Sequence, residues 1–207
     1  MGLRAPAPPR NCEVLLPFPE RVVPLSRVRS TIVLASMSDI KTDGFYDDYV
    51  KRLAPGHKDA LLDLVAGMWM PAELAAAHYS ACDALHFTAA DQTLRGRRAA
   101  DRVGGSIFGT AIRAAREAGA TPWTIFAQLP RFWSRAYDGG GLAVYRTGPK
   151  DARIDLLEIA LCDIPYYRRA LAGWMAGTLD LFCERLYFHD TPARAGPGTA
   201  RFVAQWA

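Results

Sequence analysis

The chain has no apolar run near the roughly 20 residues a helix needs to cross a bilayer. The longest candidate, Thr31 to Ala35, is far too short. Paired cysteines are also missing: Cys12, Cys82, Cys162 and Cys183 are widely separated and form no C-x-x-C unit, so they read as reduced thiols rather than a zinc knuckle or redox pair. Histidines are few, at positions 57, 78, 86 and 189, which leaves any Ser/Cys–His–acid nucleophile arrangement to chance assembly from distant segments. There is no G-x-S-x-G, and Gly104-Gly105-Ser106-Ile107-Phe108-Gly109 lacks both the lysine of a phosphate loop and the leading strand of a dinucleotide fingerprint. The N-terminus shows no basic start followed by an apolar stretch of signal length. These absences lean against an enzyme and make the cytoplasm the expected compartment, with no membrane partner.

Half of the 207 residues are hydrophobic, enough for a proper core. The net charge is +4, yet Arg4, Arg10, Arg21, Arg27 and Arg29 against Glu13 and Glu20 put +3 of it in residues 1–36. The remainder is nearly neutral. Arg95, Arg97, Arg98 and Arg102 form a local cluster without interleaved aromatics to stack bases, so no nucleic-acid partner is expected.

Residues 1–36 hold six of the 14 prolines and no sustained helical or strand period. They are expected to be a disordered tail or an over-extended start, with a single α+β domain over 37–207. Helical signals follow around 59–68, from Pro71 to about Leu85, from Thr88 to about Val103 and over 106–118, and restart at Thr121-Pro122, where Pro130 interrupts or begins another helix. Three glycines at 139–141 then precede Leu142 to Arg146, of strand composition. With turn chemistry at Gly148-Pro149-Lys150-Asp151, residues 142–161 predict a β-hairpin. Asp163 can cap a long helix whose apolar stripe runs from Tyr167 to Leu186. Alternation over Arg201–Trp206 predicts a C-terminal strand, completing a small antiparallel sheet packed on the long helix.

Two constellations could carry chemistry. His78, Cys82 and His86 recur every fourth residue, so successive members could reach one zinc or haem iron; the competing reading is a small buried thiol flanked by amphipathic imidazoles. Trp123, Phe126, Phe132, Trp133, Tyr137, Tyr145, Tyr166, Tyr167 and Trp174 could line an apolar ligand pocket or simply fill a core.

The helical region, the segment 119–137 containing Leu129-Pro130-Arg131-Phe132, the glycine-preceded hairpin, and Pro165-Tyr166-Tyr167 leading a helix with Gly173 and Gly177 together resemble a paralogous family expanded in myxobacteria. That family is distantly similar to the haem-nitric-oxide-binding and 4-vinyl-reductase-type ligand-binding domains. The family's Leu-Gly-Arg pattern is altered here to Leu94-Arg95-Gly96-Arg97. The resemblance implies a helix-rich α+β sensor module for an apolar ligand or a protein partner. The haem-binding relatives carry a Tyr-x-Ser-x-Arg motif that this chain does not show, so no cofactor is expected from it. The leading expectation is a non-enzymatic sensor or regulatory module binding a small, mostly apolar molecule; the alternatives are an interaction or homo-oligomerisation module with a filled core, displaying a surface near Trp206, and a metal or haem protein through His78, Cys82 and His86.

Overall fold

The computed structural model describes residues 3–9, 11–104, 114–191 and 196–207, with side chains omitted for 101–104. Its first strands are β1 (Leu3–Arg4), β2 (Glu13–Leu16), β3 (Arg21–Val22) and β4 (Arg27–Arg29). Helices α1 (Ser30–Thr42), α2 (Tyr46–Arg52) and α3 (Pro55–Leu62) lead to β5 (Trp69–Pro71), then α4 (Ala72–Asp83) and α5 (Ala89–Gly104). The second half holds α6 (Pro122–Ala136), β6 (Tyr137–Asp138), β7 (Gly141–Gly148), β8 (Asp151–Leu157), α7 (Pro165–Asp180), β9 (Leu186–Thr191) and β10 (Ala200–Trp206). Most of the expected helix over 106–118 lies outside the described residues.

The hairpin forms where the glycine-to-strand transition placed it: β7 and β8 pair antiparallel, with Val144 opposite Ile154. Strand β10 adds to β8 with Phe202 opposite Ile154, so three apolar side chains share one row facing the core. The chain is thus an α+β fold with a five-stranded antiparallel sheet in the order β2-β7-β8-β10-β9. Two of its strands were not legible. β9 begins at Leu186, where the helical stripe was expected to end, and the helix itself stops earlier, at Asp180. β2 comes from the segment expected to be disordered.

That expectation is corrected in the structure. Glu13 and Val14 pair with Arg146 and Tyr145, Val22 and Val28 have no exposure, and β4 joins β5 and β6 in a second sheet. The prolines sit largely between these short strands, where a missing N–H costs no ladder bond. Met37 lies inside α1. Ser30 anchors that helix, donating to the carbonyl of Val65 at 2.7 Å and accepting from the Met68 N–H at 3.0 Å.

Caps are partly as read. Thr88 accepts the Asp91 N–H at 3.1 Å and donates to its carboxylate at 2.6 Å. Asp163, however, does not cap α7: its carboxylate accepts the Gly198 N–H at 2.9 Å. The first turn of α7 is instead capped across the fold by Asp83, which accepts the Tyr166 N–H at 3.0 Å. Pro130 stays inside α6 without ending it.

Helices α5 and α7 touch backbone to backbone. A Cβ at Gly96 would stand 1.9 Å from the Ala170 carbonyl oxygen, and one at Gly173 would stand 2.0 Å from that of Thr93. Only glycine permits this approach, and it holds α5 against α7 beside the apolar cavity described next.

Candidate functional site

The core is bordered by a pocket that opens to solvent beside Phe132, itself 47% exposed. A cavity of about 350 Å³ opens among α1, α4, α5, α6, β6 and α7, walled by residues such as Ile32, Leu129, Trp133, Ala170 and Met175. This volume is near the lower end of the roughly 300–1,000 Å³ typical of small-molecule sites. The walls are apolar because each contributing helix turns its buried stripe inward; Leu171, Trp174 and Met175, for example, come from one face of α7.

Of the aromatics singled out in the sequence, Phe132, Trp133, Tyr137, Tyr166, Tyr167 and Trp174 line this cavity. Trp123 and Phe126 do not: they pack on Trp206, with ring centroids 4.6 and 6.2 Å away. Trp206 is itself 8% exposed, so the surface expected around it is an interior contact. Tyr145 faces the sheet, where Arg153 lies 5.5 Å from its ring. Sequence reasoning missed Tyr79 and Arg95, both in the wall. Tyr79 stood outside the aromatic-rich second half, and Arg95 was hidden in the basic cluster at 95–102.

The tyrosines form the cavity's hydroxyl chemistry. Tyr167 donates to the Tyr137 hydroxyl at 3.1 Å, and the Tyr79 ring meets that of Tyr167 edge-on at 4.9 Å. Burial pushes the Tyr137 phenol up to about 12 and raises Tyr79, Tyr166 and Tyr167 as well. All four are neutral hydroxyls at ordinary pH.

Arg95 supplies the cavity's cation. It is only 7% exposed. Its Nη2 meets Asp43 at 2.8 Å, and its guanidinium lies over the Phe87 ring at 4.0 Å. Asp43 is shared with Arg98 at 2.9 Å. The Nε and Nη1 of Arg95 are buried without a hydrogen-bond acceptor.

The His78, Cys82 and His86 row does not come together. His78 is fully buried, with Nδ1 2.8 Å from the Tyr49 hydroxyl, and Cys82 Sγ is 3.6 Å from its Nε2. Burial lowers His78 to about 3 and pushes the Cys82 thiol up. His86 lies beyond the end of α4, exposed, at φ 57°. Among the described residues no three His, Cys, Asp or Glu side chains are grouped to hold a metal ion, and no helix is long and apolar enough to cross a membrane.

No family model and no curated protein matches the chain. Solved structures do. An H-NOX (haem-nitric oxide/oxygen binding) domain mutant from T. Tengcongensis is 12% identical, with 86% of this chain and 97% of that one covered at a TM-score of 0.54. A Cs H-NOX variant carrying an unnatural cyano-phenylalanine is 11% identical over 86% of this chain and 96% of its own, with a TM-score of 0.55. A structure from work on heme distortion in the H-NOX family is 10% identical over 86% and 94%, with a TM-score of 0.54. This chain therefore has the H-NOX fold, in agreement with the similarity to haem-nitric-oxide-binding domains that the resemblance implied.

These matches correct the expectation of a domain without a cofactor: the fold is one in which heme has been studied directly. That expectation leaned on the absence of one short motif. A fold retained at 10–12% identity does not require a particular ligating motif to remain legible.

Proposed function

We propose that this domain is a ligand-sensing module, non-enzymatic, that holds a largely apolar small molecule in the cavity between α1, α5, α6 and α7. The observation that carries the reading is the cavity itself, an apolar chamber of about 350 Å³ in a domain whose fold is shared with heme proteins. The hydroxyls of Tyr137 and Tyr167 give the occupant polar points of contact without charge.

Haem is one occupant with features that suit this lining. Apolar and aromatic walls suit the macrocycle, and Arg95 suits a propionate. Among the described residues neither histidine nor cysteine lines the cavity, so iron would be met by Met175 or by a tyrosine. The tyrosines hold their protons tightly, which leaves the Met175 thioether as the donor that needs no deprotonation. When bound, haem would supply a centre for a diatomic ligand.

The test compares native and denatured masses of freshly purified protein and records its visible absorption. A stoichiometric extra mass supports the reading, and a Soret band identifies the occupant as haem. Bare protein that binds neither added hemin nor a neutral apolar dye overturns it.

A further inference from the structure

The connection from α3 to β5 exposes an apolar tip. Residues 64–70 carry no charge, and within them Val65 is 61% and Met68 55% exposed, with Ala66 and Gly67 exposed between. The tip is held in place by its backbone. Ser30 Oγ donates to the Val65 carbonyl at 2.7 Å and accepts the Met68 N–H at 3.0 Å, the Ser30 N–H donates to the Met68 carbonyl at 2.8 Å, and Arg29 Nη1 donates to the Gly67 carbonyl at 3.0 Å. Two large apolar side chains are thus fixed in water rather than turned into the core, and such exposure, gathered in one place and rimmed by polar groups, marks a contact surface.

The rim is positive and lacks a counter-charge. Arg29 stands opposite Trp69 across β4 and β5, its guanidinium 4.0 Å from the ring, and Arg27 lies 5.6 Å from the same ring. Asp138 neutralises Arg27 at 2.6 Å. Arg29 meets carbonyls instead, those of Arg135 at 3.3 Å and of Gly67, and the Arg135 side chain is exposed. Among the described residues neither Arg29 nor Arg135 has a carboxylate within ion-pair distance. β5 is also the edge of the sheet β5-β4-β6, so a short row of its backbone groups, ended by Pro71, faces away from β4. A strand edge suits another backbone, and guanidinium groups cover the Trp69 ring that would otherwise enter a bilayer; both favour a peptide over a lipid surface.

We infer that this surface docks an extended segment of a partner protein, rich in both acidic and apolar side chains. The segment lies along the β5 edge through its backbone, sets apolar side chains on Val65 and Met68, and brings carboxylates to Arg29 and Arg135. Complementary charge fixes which partner is accepted and speeds the encounter, while the pinned tip spares the cost of ordering a loop on contact. The surface stands apart from the cavity and does not depend on its occupant.

The experiment selects a displayed library of random heptapeptides on the full-length protein and, side by side, on the protein carrying Val65→Asp with Met68→Asp, its fold checked by circular dichroism. Peptides retained by the unaltered protein and lost from the double variant should combine acidic and apolar residues. A synthetic copy of the selected sequence, followed by fluorescence anisotropy, should bind about tenfold more weakly when salt is raised from about 50 to about 500 mM, and Arg135→Glu should weaken it by at least about tenfold. Tyr187→Asp, an exposed aromatic on β9, should change nothing. Selection of no peptide, of basic peptides, or of the same peptides by the double variant overturns the inference. So does binding indifferent to salt and to Arg135→Glu, which alters only an exposed side chain. Retention of the unaltered protein on phosphatidylglycerol vesicles, with no peptide selected, gives the surface to a lipid and also overturns it.

Discussion

Replacing Gly173 by alanine adds one methyl group at the closest approach of α5 and α7. Its carbon would stand 2.0 Å from the Thr93 carbonyl oxygen and 2.9 Å from its carbon, where ordinary contact begins at 3.4 Å. The helices must part by roughly an ångström, because the opposing atoms are backbone and cannot rotate aside. Overpacking of this kind costs about 1–3 kcal/mol, and the rigid opposing surface puts this site at the upper end. Against it stands a gain of about 1 kcal/mol from replacing glycine within a helix. The net loss is about 2 kcal/mol, or some 4–8 °C in Tm for a chain of this length. Thermal unfolding followed at 222 nm (far-UV circular dichroism) measures it. Gly56→Ala on α3 is the control, since its Cβ would meet nothing within 4 Å; it should leave Tm unchanged or raise it slightly. A Gly173→Ala protein that melts at or above the unaltered one would refute the close packing of these helices, and with it one wall of the cavity.

The buried imidazole gives an acid-sensitive limb. His78 is held neutral, its pKa lowered to about 3 by burial, so the unfolded chain binds its proton first as pH falls. Its contribution is fully present above the ordinary value near 6.5 and is lost between there and about 3, at up to about 1.4 kcal/mol per pH unit; His78→Phe with Tyr49→Phe should flatten urea midpoints over that window, and an unchanged slope would contradict it. Cys82 and Cys162 are buried and their thiols are pushed up, Cys162 to about 12. Both should resist a maleimide until the protein unfolds, whereas Cys12 should label first; rapid native modification at position 82 would show that α4 is packed otherwise. Burial raises Asp155, but hydrogen bonds from Arg153 and Arg201 outweigh it and leave its pKa lowered. Asp155→Asn should cost about 1 kcal/mol at neutral pH, modest because both arginines reach water, and the deficit should shrink as pH falls below the carboxylate range.

How much of this was legible depends on whether a signal was local. The hairpin was readable because Gly139 to Gly141 and Gly148-Pro149 bracket two strand-like runs. The C-terminal strand was readable from alternation through Phe202, Ala204 and Trp206, all buried. β2 and β9 were not, since each is an edge strand of the sheet whose side chains are exposed or half-buried, with no fully buried position to mark a core face. The segment before Met37 looked structureless because its strands are two to four residues long and separated by prolines; their stability comes from partners over a hundred residues away, such as the Arg27 pair with Asp138. The pocket was half legible. Phe132, Trp133, Tyr137, Tyr166, Tyr167 and Trp174 stood out as large rings, and the same criterion drew in Trp123, Phe126 and Tyr145, which pack elsewhere. Arg95 was hidden because burial of a charge on a basic helix face is a property of the neighbouring helices, not of the local sequence.

The central claim is that the cavity is a binding chamber rather than a packing fault, and filling it tests this most directly. Ala99→Trp places an indole in the cavity from the half-buried face of α5. Native mass spectrometry of the two proteins, purified side by side, should show a stoichiometric adduct on the unaltered chain that is absent from the variant, with Tm of the variant equal to or above that of the ligand-stripped protein. An unaltered chain without an adduct that binds no added apolar ligand, or an adduct retained in full by Ala99→Trp, would contradict it.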